Sequence, residues 1–324
     1  MKTLLRILGG LALLVVAMLA ILWVTLQRPD LPWKTLQAKY QNAASRYVDL
    51  PGGLHVHYRD QGNPKGPVLV LVHGFSANVD TWEPWVKRLG GTYRIVSLDL
   101  PGHGLTQAPP GFQVGPTTFL DVVQGVVDHL KLQKFVLAGN SMGGAVAWNY
   151  ALVHPERLDG LVLVDAGGWA HPQEGRDGPV IFKVMANPIG RALLHNLDAR
   201  GLTKAGLEDA YLDKTLVTDA LVDRYVDLAR APGHRDILFG LQATFRDPAT
   251  PQKLAVIKIP TLVMHGRQDK LVPFADGEAF AKAIPGATLD AYGQVGHVPM
   301  EQIPDRSAAN LDSWIKLKVY PPKD

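Results

Sequence analysis

The sequence predicts an α/β fold, a mostly parallel central sheet with helices on both faces. Three observations carry the prediction. From residue 46 onward, strand-like runs alternate with helix-like runs. Several strand-like runs are apolar at every position, Val68–Val72 most clearly, and such runs belong to strands covered on both sides. One of them, Lys134–Ala138, leads through a glycine-flanked serine directly into a helix-like run, Ala145–Val153.

Taken in order, Arg46–Leu50 and Leu54–Arg59 flank Pro51-Gly52-Gly53 and read as an opening hairpin. Val68–Val72, Tyr93–Leu98, Lys134–Ala138 and Leu158–Val164 are the expected inner strands, with Pro260–His265 and Ala287–Ala291 as late strands. Thr117–Leu130 and Ala145–Val153 read as covering helices, and Pro304–Lys318 closes the chain as a helix. Between Gly168 and about Gln252 the strand-like runs stop. Amphipathic segments such as Asp219–Arg230 replace them, punctuated by Pro172, Pro179, Pro188 and Pro232. The expected division is a core at 46–168 and 253–324, with a helical lid inserted at 169–252.

The amino-terminal segment stands apart. Ile7 to Leu26 is a run of 20 residues without a charge, and at about 1.5 Å per residue a helix of that length spans about 30 Å, the thickness of a hydrocarbon core. Trp23 lies near its far end and Arg28-Pro29 stops it. A cleaved signal peptide is the rival reading, but its apolar region is usually shorter and ends at an A-x-A site, which this run lacks. Residues 1–27 are therefore expected to be a single-pass membrane anchor and 28–45 a linker or short helix. Lys2 and Arg6 favour the amino end inside and the remaining domain on the non-cytoplasmic side, against Arg28, Lys34 and Lys39 on the other flank.

The chain has 324 residues, 47% of them hydrophobic, enough for one large core. A net charge of +3 without basic blocks gives no reason to expect nucleic acid as a partner. With no cysteine there is neither a disulfide framework nor a thiolate metal site.

The motif at the strand–helix junction is Gly139-Asn140-Ser141-Met142-Gly143-Gly144. A sharp turn there holds the serine at its tip, and the flanking glycines remove side chains that would collide across it. The following helix points its positive end at the serine, so the N–H of Met142 can receive a developing oxyanion. A serine hydroxyl needs a base within reach, and the base needs an orienting partner. In the order Ser, acid, His, the best downstream candidates are Asp269, after the strand ending at His265, and His297, after the last strand. Both project from the carboxyl edge of the sheet, where such folds bind ligands. The loop His73-Gly74-Phe75-Ser76 follows the first central strand, and the N–H of Phe75 is the candidate second oxyanion donor. Asp165 is the reserve acid. His55 and His57 share one strand face and are expected to face solvent, with no third ligand to suggest a metal. His103 is expected to organise a loop beneath the site, and His265 to be packed.

Taken together with Asp99-Leu100-Pro101-Gly102-His103-Gly104, these motifs resemble the α/β-hydrolase superfamily over residues 46–318. Epoxide hydrolases and haloalkane dehalogenases of that fold carry an Asp nucleophile, which Ser141 argues against. Carbon–carbon hydrolases of ring-cleavage products are similar in Gly-Asn-Ser-Met-Gly-Gly. They usually carry a Ser-Gly-Pro-Gly oxyanion loop and a Trp after the histidine, where this chain has Phe75-Ser76-Ala77-Asn78 and Val298. An apolar helix ahead of His-Gly-Phe-Ser-Ala resembles the membrane-anchored monoacylglycerol lipases and their bacterial relatives.

The resemblance implies hydrolysis of a carboxylic ester, an acylglycerol or similar lipid ester, through an acyl-enzyme on Ser141. His297 would be the base, Asp269 its partner, and Phe75 and Met142 the oxyanion donors, with no metal or organic cofactor. Apolar lid segments, Val180-Ile181-Phe182 and Ala192-Leu193-Leu194, would line an acyl pocket, touch the bilayer, or simply be buried helix faces. Two alternatives stay open: carbon–carbon bond hydrolysis, and a non-catalytic ligand-binding protein on the same scaffold.

Overall fold

The computed structural model describes residues 2–171, 187, 189–190, 192, 195–241 and 247–322. Its centre is an eight-stranded sheet: β1 (Ser45–Leu50), β2 (Leu54–Gly62), β3 (Val68–Val72), β4 (Arg94–Leu98), β5 (Phe135–Asn140), β6 (Leu158–Val164), β7 (Thr261–Gly266) and β8 (Thr288–Tyr292). The spatial order is β1-β2-β4-β3-β5-β6-β7-β8. β1 pairs antiparallel with β2 and β2 with β4, and the remaining pairs are parallel.

Period-two geometry explains why the inner strands are apolar throughout. Val70 and Val72 of β3 face one core layer, built with α4 (Thr118–His129), α5 (Met142–Val153) and α9 (Phe274–Ala283). Leu69 and Leu71 face the other, with Trp82, Trp85 of α3 (Glu83–Leu89), and Leu311 and Trp314 of α10 (Pro304–Trp314). All four β3 side chains are completely buried. α3 and α9 were not expected from the sequence: α3 is two turns beginning Glu-Pro, and α9 carries Gly277 where an added Cβ would lie 2.5 Å from the His265 ring.

Between β6 and β7 the described residues hold α6 (Arg200–Ala210), α7 (Asp219–Ala229) and α8 (His234–Gly240). Val180-Ile181-Phe182 and residues 193–194 of the second lid segment lie outside the described residues. At the amino end, α1 (Lys2–Thr25) contains a 20-residue apolar span, Arg6–Thr25, of mean hydropathy 2.8 with no side chain buried, the length and composition of a membrane anchor or a signal sequence. The linker holds α2 (Trp33–Tyr40), whose Leu36 is buried with Leu105, Leu228 and Ala231.

His57 corrects the sequence reading. It is fully buried, donating from Nδ1 to Asp99 Oδ2 (2.7 Å), with Ser45 Oγ 2.9 Å from Nε2. The loop after β4 folds back over β2, where His55 bridges Gln107, so this face of the strand is covered. His55 stays partly exposed beside Asp49.

Candidate active site

The site forms where β3 lies between β4 and β5, so that chain connections leave to opposite sides and open a crevice at the carboxyl edge. Ser141 sits between β5 and α5 with φ 54° and ψ −116°, a region L-residues rarely adopt. Backbone bonds hold it there. Its N–H donates to Val164 O (3.0 Å), and its carbonyl accepts from Ala145 (3.1 Å) and Gly167 (2.9 Å).

The glycines are required by contact. A Cβ on Gly139 would lie 2.0 Å from Gly143 O, and one on Gly143 would lie 2.1 Å from Val72 O and 2.5 Å from His73 O. Because these neighbours are backbone, nothing can swing aside. Gly143→Ala is therefore expected to cost roughly 4 kcal/mol or more, read as a lowered unfolding midpoint in denaturant. Gly91→Ala, where an added Cβ meets nothing within 4 Å, is the control and should change the midpoint little.

Ser141, Phe75 and His297 line one cavity of about 340 Å³. Asp269 reaches it through His297: His297 Nδ1 donates to Asp269 Oδ2 at 2.7 Å. The other oxygen, Asp269 Oδ1, accepts from the N–H groups of Leu271 (2.7 Å) and Val272 (3.0 Å). Burial alone would raise the Asp269 carboxyl, but His297 and these two N–H groups hold it below the usual range. The carboxylate thus fixes the imidazole with Nδ1 protonated and leaves Nε2 free of that bond. The His297 side chain is 7% exposed.

The predicted oxyanion donors lie on two neighbouring loops. Met142 is the first residue of α5, and among the described residues neither its N–H nor that of Phe75 is paired with an acceptor. His73 holds the Phe75 loop, donating from Nδ1 to Gly74 O (2.7 Å) and accepting at Nε2 from Leu100 N–H (3.1 Å). Burial lowers its pKa, which matches a ring that must keep one nitrogen as acceptor.

Several contributors carry no sequence signal. Asn140, the free position of the G-x-S-x-G motif, donates from Nδ2 to His297 O (3.0 Å) and Val164 O (3.1 Å), tying the histidine loop to the turn. His297 N–H donates to Ala210 O (2.8 Å) at the end of α6. Thr81, Tyr211 and Tyr225 line the cavity, the first from the 3₁₀ turn Val79–Trp82 and the others from the helical insertion. His103 is buried with Nδ1 on Pro101 O (3.0 Å), and His265 is packed under Asp269. Asp165, the reserve acid, is buried beneath the pair, accepting from Gly266 N–H at 2.8 Å. Burial and the neighbouring Asp269 charge push its carboxyl well above the ordinary range.

Comparison with known proteins agrees with this architecture. The alpha/beta hydrolase fold family matches residues 67–303. An uncharacterised hydrolase of Bacillus subtilis is 28% identical, over 82% of this chain and 95% of its own. A 2-hydroxy-6-oxononadienedioate/2-hydroxy-6-oxononatrienedioate hydrolase of Paraburkholderia phymatum is 32% identical, over 79% of this chain and 90% of its own. Among solved structures, a membrane phospholipase A aligns over 98% of both chains with a TM-score of 0.70 and 25% identity. The chain belongs to the α/β-hydrolase family and is a hydrolase of that fold.

Proposed function

We propose that the protein hydrolyses carboxylic esters, with acylglycerols or related lipid esters as substrates, from a membrane to which α1 anchors it. Ser141 attacks the ester carbonyl while His297 takes the hydroxyl proton. Asp269 holds the imidazole tautomer and stabilises the imidazolium. The N–H groups of Phe75 and Met142 receive the oxyanion. His297 returns the proton to the leaving alcohol, and a water activated by the same ring releases the acid.

The observation that carries the reading is the lining of the cavity. Its walls include Phe75, Ala77, Leu207, Leu271, Val272 and Val298, and among the described lining residues there is no Lys or Arg. An uncharged acyl chain suits such walls. The alignment with a membrane phospholipase A, which includes the amino-terminal segment, supports the anchor and the ester class.

Hydrolysis of a carbon–carbon bond in a ring-cleavage product is the second reading. It is favoured by relatives such as the Paraburkholderia phymatum enzyme. A dioate substrate carries two carboxylates, however, and burying them without a cation in the wall is costly. The insertion at 169–252 is proposed to act as a lid over the cavity, to which α6 and α7 contribute Leu207 and Tyr225.

The test is a chain-length series of p-nitrophenyl esters and acylglycerols given to the full chain in detergent, beside a 2-hydroxy-6-oxo-dienoate. Turnover of the esters with little of the dienoate is expected. Turnover of the dienoate alone would overturn the ester reading.

A further inference from the structure

The segment leaving α1 does not run to the sheet. It is seated on the helical insertion. Gln27 bridges Leu197 in antiparallel fashion, with Arg28 N–H donating to Asn196 O (2.6 Å) and Asp198 N–H to Leu26 O (2.8 Å). The Arg28 guanidinium pairs with Asp198 at 3.0 Å. Arg235, on α8 and 9% exposed, clamps the crossing by donating to Arg28 O (2.6 Å), Asp30 Oδ1 (3.1 Å) and His195 O (2.7 Å). Arg230 donates to Pro29 O at 2.9 Å, and Lys39 pairs with Asp227 of α7 at 2.7 Å.

This seating fixes where the insertion stands relative to the apolar span. Leu197 is paired two residues after α1 ends. α6 starts at Arg200, and three extended residues reach at most about 10 Å. The polar layer flanking a hydrocarbon core is itself about 5–8 Å deep. The first turn of α6 therefore starts within about 10 Å of the strand crossing at the end of the apolar span, within reach of that layer when α1 spans a bilayer. That turn carries Leu202, an apolar side chain 73% exposed among the described residues. One residue on, the same helix turns to the site: Thr203, Gly206, Leu207 and Ala210, spaced as one helical face, line the cavity with Ser141 and His297.

We propose that the rim at Leu202 docks on the bilayer that holds α1, and that the substrate is a lipid ester drawn along α6 from that same bilayer. The occupant of the exposed rim is the lipid surface, because the rim continues the apolar span through a hydrogen-bonded crossing. This inference rests on the ester-hydrolase and anchor reading given above.

The test uses the full chain reconstituted in dioleoyl phosphatidylethanolamine and phosphatidylglycerol vesicles. The probe is a diacyl glycerolipid with a quenched fluorescent acyl chain, which exchanges poorly between vesicles. It is placed either in the protein's own vesicles or in separate ones, with p-nitrophenyl butyrate as soluble control. Sharing a bilayer raises effective concentration, so the probe should be cleaved at least about 100-fold faster in the protein's own vesicles. Leu202→Asp should lower that rate about tenfold, the worth of one buried leucine side chain, and leave butyrate turnover within about twofold. Equal rates in shared and separate vesicles, or a Leu202→Asp loss equal on both substrates or absent on both, would overturn the inference while butyrate turnover leaves the ester reading standing. Failure to cleave either substrate would overturn that reading and this inference with it.

Discussion

Ser141→Ala is expected to lower ester turnover about 10⁵–10⁶-fold, the loss seen when a triad nucleophile is removed from a site that keeps its oxyanion donors. The fold should not notice. The strained backbone at 141 is held by main-chain bonds to Val164, Ala145 and Gly167, and the side chain makes no capping bond to α5. Alanine keeps the Cβ that Gly74 already accommodates. The unfolding free energy should therefore stay within about 0.5 kcal/mol of wild type. A fluorophosphonate probe should label the wild type and not the variant. Labelling that survives the substitution would place the nucleophile elsewhere, and absence of labelling in a folded wild type would favour a binding protein on this scaffold.

Much of this arrangement was legible because the constraints on it are local. The strand–turn–helix around Ser141 needs small residues at 139 and 143 for steric reasons that hold in any such turn, so the pattern announces the geometry. The inner strands were readable because burial on both faces makes every position apolar. Asp269 and His297 followed from chain order and from strands that end just before them; the structure pairs the two and places His297 on the cavity that Ser141 lines.

What was not legible depends on contacts between distant segments. His57 alternates with its neighbours like a half-exposed strand residue, yet the loop at 99–107 covers it. Asn140 occupies a position the motif leaves open, and its bonds go to His297 O, 157 residues away. Tyr211 and Tyr225 reach the cavity only because the insertion packs as it does. The seating of residues 26–31 on residues 195–198 and 230–235 joins backbone N–H and carbonyl groups, which every sequence possesses, and brings the guanidinium groups of Arg230 and Arg235 to carbonyls more than 200 residues away.

Two buried aspartates separate role from proximity, and exchanging each for asparagine should give opposite results. Asp269→Asn is expected to reduce turnover about 10⁴-fold, because an amide facing Nδ1 favours the wrong imidazole tautomer and cannot stabilise the imidazolium. The amide oxygen of that variant would still accept from the N–H groups of Leu271 and Val272, so the loop should survive. Asp165→Asn should leave turnover within about tenfold, since its oxygen serves the Gly266 N–H and an amide oxygen does the same.

The second variant carries a distinct signature in stability. Asp165 has its pKa raised by burial and by the Asp269 charge, so the folded state keeps a proton that the unfolded chain releases above about pH 4. A raised carboxyl stabilises fully below the unfolded value and loses that contribution as pH rises toward the folded value. The slope is about −1.4 kcal/mol per pH unit for one proton held only by the native state. Asparagine cannot release a proton, so Asp165→Asn should gain stability relative to wild type as pH rises from about 4 towards neutrality, measured by urea unfolding at several pH values. A parallel offset at every pH would show that Asp165 is ionised in the fold. A loss of turnover at 165 matching that at 269 would move the orienting role to the reserve acid, because only the carboxylate that holds His297 Nδ1 has a tautomer to lose.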